Sequence, residues 1–126
     1  MSDHAHVVLD ETAMIAADQG NAMASRLIHR SHTEAGWHLY APACALVEAD
    51  RARPGTAEHL AALPGIIVLD LDLPAALAVA REGTWATAHT QYAAGPTAER
   101  PDGAFIATTA PTHWAGQSVR VLDVSP

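Results

Sequence analysis

Four short apolar runs constrain the fold of this 126-residue chain more than any other feature. They are Val7-Val8-Leu9-Asp10, Ile66-Ile67-Val68-Leu69-Asp70, Ala104-Phe105-Ile106-Ala107 and Val119-Arg120-Val121-Leu122. Their length and β-branched content predict strands rather than helices. The first three are nearly continuous in hydrophobicity, which predicts buried strands of a parallel sheet covered on both faces. The fourth alternates, Val119 and Val121 against Ser118 and Arg120, and reads as an edge strand. The sheet has four strands, or five if His38-Leu39-Tyr40 is counted as one.

Helical segments separate the strands. Glu11 to Ala17 is short and closed by Gly20. Asn21 caps the next, which runs to about Ala35 with Met23, Leu27 and Ile28 on one face. Pro42 suits the first turn of a helix that carries Leu46, Val47 and Ala49 and stops at Pro54-Gly55. Thr56 caps a short helix to Leu63. Asp72 caps Leu73 to Glu82, with Leu73, Ala76, Leu77 and Ala80 as the apolar stripe. Thr84 caps Trp85 to Ala94, with Trp85, Ala88 and Tyr92 aligned. Residues 95–103 hold Pro and Gly and read as a loop. Strands alternating with helices predict one α/β domain with a mostly parallel sheet.

Composition excludes several functions. Hydrophobic residues make up 49% of the chain, too many for disorder. The apolar runs are far shorter than the roughly 20 residues of a membrane-spanning helix. One cysteine, Cys44, builds neither a disulfide framework nor a cysteine-rich zinc site; it reads as a small buried hydrophobe. The formal net charge is −7, with seven arginines and no lysine, so a broad basic surface for nucleic acid is excluded. A polyanion has to be met by local charge or through a metal ion. The start Met1-Ser2-Asp3-His4 carries no charged and then long apolar leader, which predicts a cytoplasmic protein.

In a parallel sheet the functional crevice lies beyond the carboxyl ends of the strands. That selects Asp10 and the Thr108-Thr109-Ala110 turn. Two readings fit Asp10: a ligand for a hard cation with Thr12 beside it, or a cap for the helix that begins at Glu11. Glu48 likewise reads as a solvated helix residue or as a second acid. The pairs His4/His6 on a strand and His29/His32 on a helix have ligand spacing, yet two ligands do not make a metal site. His89 reads as a core histidine or a polar group facing the site. Trp114 reads as packing or as an exposed anchor.

Two segments together resemble the PIN-domain family. Val7-Val8-Leu9-Asp10-Glu11-Thr12 resembles its opening strand and first acid. The segment 40–49, with Pro42 leading a helix that carries Glu48, resembles its second motif. The ending Ala104–Pro111 followed by a short strand is similar to VapC-like members. The resemblance implies a three-layer fold with the first strand central and helices on both faces. It implies RNA phosphodiester hydrolysis by carboxylates around Mg²⁺ or Mn²⁺, with Asp10 as first acid and Glu48 as second. Thr12, Thr84, Thr108 and His89 would be polar support, and an antitoxin protein and a homodimer would be the partners.

The chain departs from the family at the two remaining acids. No Asp or Glu occurs between Glu82 and Glu99, and Thr84 or Trp85 stands at the third position. Ala110 stands at the fourth. Asp102 precedes its strand and is expected at the opposite end of the sheet, and Glu82 reaches the site only if its helix end does. The leading expectation is a VapC-like ribonuclease. Its rival is a catalytically inactive PIN-like protein acting as a binding or regulatory partner, and a histidine-based metal binder comes third.

Overall fold

The computed structural model describes residues 4–126. The stretch Met1-Ser2-Asp3, on which the leader reading rests, lies outside the described residues. Five strands form one sheet: β1 (Ala5–Leu9), β2 (Trp37–Pro42), β3 (Ile66–Leu69), β4 (Phe105–Thr108) and β5 (Arg120–Asp123). All four pairings are parallel, in the order β3-β2-β1-β4-β5. The helices are α1 (Glu11–Asp18), α2 (Ala22–Thr33), α3 (Ala43–Ala52), α4 (Thr56–Ala62), α5 (Leu73–Ala80) and α6 (Trp85–Ala94), with a 3-10 turn at Pro111–Trp114. This is the expected α/β architecture, with β1 central. Among the described residues no helix is long and apolar enough to cross a membrane.

The central strand alternates its burial between two helical layers, as period-two geometry requires. Val7 and Leu9 face a core built from Met14 of α1, Leu27 of α2, Leu46 of α3 and Leu60 of α4. Val8 faces the other way, against Tyr40 and Ala93 of α6. Alanine at most of the other packed positions lets the helices sit close to the sheet.

Several local expectations are corrected. The run at 66–70 is not a covered strand: β3 is an outer strand, and Ile67 and Val68 are 43% and 38% exposed. A short apolar run carries no information about how many neighbours it has. His38-Leu39-Tyr40 does form the fifth strand, as the middle of β2, and it lies inside the sheet beside β1. Thr56 does not cap α4; Gly55 does, in the left-handed conformation, while Thr56 is buried and bonds the Arg53 carbonyl at 2.8 Å. On α5 the buried residues are Ala75 and Val79, and Leu73 is 72% exposed. Every residue of Leu73–Ala80 is apolar, so no polar face orients the helix. On α6 the small face goes inward, and Trp85 and Tyr92 stay out. Of the α2 face, Leu27 is buried and Met23 is exposed.

Close approach requires glycine at Gly65 and at Gly103, where a Cβ would meet the Ala94 carbonyl oxygen. Gly65, at φ +88°, enters β3 against α2, and a Cβ there would lie 2.8 Å from the His32 backbone nitrogen.

Candidate functional site

Because all strands are parallel, their carboxyl ends gather on one side. Asp10 leaves β1 there and Thr108 ends β4. Asp10 is buried and is the N-cap of α1. Its Oδ1 accepts from the Ala13 amide at 2.9 Å and from the Thr12 hydroxyl at 2.6 Å. Its Oδ2 accepts from the Trp114 indole at 3.1 Å. The cap reading therefore holds, and Trp114 is neither an exposed anchor nor mere packing.

Thr12 and Thr108 form an ordered relay behind this carboxylate. The Ala110 amide donates to the Thr108 hydroxyl at 3.0 Å. The Thr108 and Thr12 hydroxyls lie 3.1 Å apart, and the Thr109 amide donates to Thr12 at 3.0 Å. The single Thr12 proton goes to Asp10, so Thr108 is the donor to Thr12. The main chain of the 108–110 turn is thereby tied to the end of β1.

The sequence reading missed Glu11. This half-buried residue opens α1, and burial pushes its carboxyl above the usual range, with Asp10 and Glu48 pushing the same way. His113 opposes them. The charges of Asp10 and Glu48 thus both reach the Glu11 carboxyl. The signal in the sequence was the adjacent pair Asp10-Glu11 at a strand end, where Glu11 read only as the start of a helix. His113 sits on the 3-10 turn, 3.1 Å from the Thr87 hydroxyl through Nε2.

Glu48 is exposed on α3. It lines a cavity of ≈ 670 Å³ with Cys44, Val47, Arg51, Thr84 and Trp85. Thr84 caps α6 as expected, accepting from the Thr87 amide at 3.3 Å. Burial pushes the Cys44 thiol up, which disfavours a thiolate nucleophile. His89 is fully buried, and its Nδ1 accepts from the Cys44 amide at 3.3 Å. Burial holds it below the usual histidine range, opposed by the Asp70 backbone and the Asp72 charge. It is a neutral tie between α6 and the start of α3.

The other candidates lie elsewhere. Asp102 is at the opposite end of the sheet, as expected, in a cavity with His4 and His6. Glu82 is exposed just beyond α5, and His29 and His32 are exposed on α2. Among the described residues no group of three or more His, Cys, Asp or Glu side chains is arranged to hold a metal ion.

No protein-family model matches the chain, and no curated protein matches its sequence.

Proposed function

We propose that this chain is a PIN-like, VapC-type domain that works by binding a partner protein of the antitoxin kind and does not hydrolyse RNA. The carrying observation is the state of Asp10, whose two oxygens already accept from Thr12, Ala13 and Trp114. A carboxylate with three protein donors gives up those bonds before it can hold a hard cation. Thr84, Trp85 and Ala110 stand where further acids would be needed. The donor set therefore fits Mg²⁺ or Mn²⁺ poorly. Support for a protein partner comes from exposed apolar side chains: Val47 and Trp85 line the cavity beside Glu48, and Leu73 and Leu77 lie one turn apart on α5.

A second reading, metal-dependent RNA hydrolysis, is favoured by the half-buried Glu11 next to Asp10, whose carboxyl is raised by burial and by the charges of Asp10 and Glu48. Raised carboxyl groups in a cleft mark functional sites as well as structural ones. One experiment separates the two: single-stranded and structured RNA incubated with the protein in Mn²⁺, beside Asp10→Asn and Glu48→Gln. No cleavage by any of the three is expected. Cleavage by the parent that is lost in both variants overturns the binding reading.

A further inference from the structure

The amino ends of the strands border a cavity of ≈ 700 Å³ that neither reading uses. Three imidazoles line it: His4, His6 and His38. The register pairs His6 with His38, and His4 precedes His6 by two residues on the same face. Their ring planes lie 13–16° from parallel, with centroids 4.8–6.3 Å apart. His4 Nδ1 is 2.8 Å from His38 Nε2, and His6 Nδ1 is 2.8 Å from the Tyr40 hydroxyl.

Two guanidinium groups line the same cavity. Arg100 lies 4.8 Å over the Tyr40 ring, and Arg120 lies 4.3 Å over the Phe105 ring. Arg100 donates to the Ala93 carbonyl at 3.4 Å and Arg120 to the Asp102 carbonyl at 2.8 Å. Among the described residues neither forms an ion pair, and Arg100 Nε is buried with no hydrogen-bond partner. Two of only seven arginines are therefore held on aromatic faces with no carboxylate of the described residues ion-paired to them.

We propose that this cavity is an oxyanion site for a small phosphate-bearing ligand, held by Arg100, Arg120 and the imidazole face of His4, His6 and His38. A guanidinium presents paired N–H groups that match two oxygens of a phosphate, and an aromatic ring beneath it fixes its plane. Imidazole N–H groups supply further donors. The volume suits a small molecule, since such sites run about 300–1,000 Å³. A metal ion is the other occupant that three histidines suggest. The guanidinium charges oppose it, and ring nitrogens donate in their ring planes, so near-parallel rings do not converge on one ion.

The charge balance makes the site depend on pH. Glu99 and Asp102, both exposed, also line the cavity and offset Arg100 and Arg120 when the imidazoles are neutral. Tyr40 contributes a hydroxyl. Protonation of His6 adds positive charge to a cavity that already holds two guanidinium groups, so anion binding strengthens as pH falls. Burial, followed by His38, Arg100 and His4, holds His6 below its usual value. A bound anion counters the cationic repulsion and raises it.

Sulfate keeps one charge across this range, so it isolates the protein's titration. Calorimetry should give saturable one-site binding at about pH 6 and about tenfold weaker binding at about pH 8. The His6 titration followed by NMR should move upward with sulfate, and inorganic phosphate should compete. Arg100→Gln should abolish binding, and Arg120→Gln and His38→Gln should weaken it; if Arg100→Gln does not fold, the other two carry the comparison. The proposal is overturned by lack of saturation at about pH 6, by equal affinity at the two pH values, by unchanged affinity in the variants that fold, or by stoichiometric Zn²⁺ uptake that sulfate does not oppose.

Discussion

The indole nitrogen of Trp114 donates to Oδ2 of Asp10 at 3.1 Å, joining the turn after β4 to the end of the central strand. Both residues are buried, so the contact is shielded from water. It commits the second oxygen of the residue that the resemblance makes the first acid.

Trp114→Phe removes that donor and keeps most of the ring volume. A lost bond to a buried charged group costs about 1.5–3 kcal/mol. Urea denaturation at neutral pH should show a loss of that size. A cycle with Asp10→Asn should show the two substitutions to be non-additive. A loss under about 0.5 kcal/mol would mean that the bond is not maintained in solution.

Glu11 gives a pH-dependent test. Its folded-state carboxyl is held above the ordinary value of 4.5, so the folded protein binds that proton more tightly than the unfolded chain does. The stabilising contribution is therefore full below the ordinary value and lost as pH rises through the raised one. Glu11→Gln should be more stable than the parent at neutral pH and should lose that advantage in acid. Thermal denaturation across pH 3–8 reads this out. An advantage that is the same at every pH would assign the effect to something other than this titration.

His89 has the opposite sign. Its folded-state value lies below the ordinary 6.5, so its contribution is present above 6.5 and is lost as pH falls through the lowered value. The parent should lose stability between neutral pH and about pH 5, where the unfolded chain gains a proton that the folded protein resists. In His89→Asn, whose amide oxygen replaces the acceptor for the Cys44 amide, that component of the slope should vanish. Parallel slopes for parent and variant would remove His89 as its source.

Leu73 and Trp85 separate folding from binding. At 72% and 69% exposure they contribute little to the core. Leu73→Ser and Trp85→Ser should each change stability by less than about 0.5 kcal/mol. If the apolar surface serves a partner, the same changes should abolish self-association or co-purification with the protein's partner. A large stability loss would mean that these side chains are already packed in the folded chain.

The sheet was legible because strand-length runs rich in Val and Ile have few alternatives, and their alternation with helices forces parallel pairing. The caps Asp10, Asn21, Asp72 and Thr84 were legible for a local reason: each bonds an amide three residues on. The inward faces of α5 and α6 were not. Leu73 and Trp85 are the residues a hydrophobicity pattern sends inward, yet Ala75, Val79 and Ala93 are buried in their place, and of the expected α6 stripe only Ala88 goes in. Close helix packing selects small side chains, and a pattern cannot weigh that against transfer energy.

The candidate site divides the same way. Position in the chain was enough to bring Asp10 and Thr108 to the same end of the sheet, because a parallel strand order fixes which ends coincide. It could not reveal that Trp114, 104 residues away, takes up the Asp10 carboxylate, or that Arg100 settles on Tyr40 beside three histidines. Backbone preferences and hydrophobic periodicity act over a few residues and are written locally. Which side chains share a lone pair or a cavity depends on packing between elements distant in the chain, and only the tertiary structure decides that.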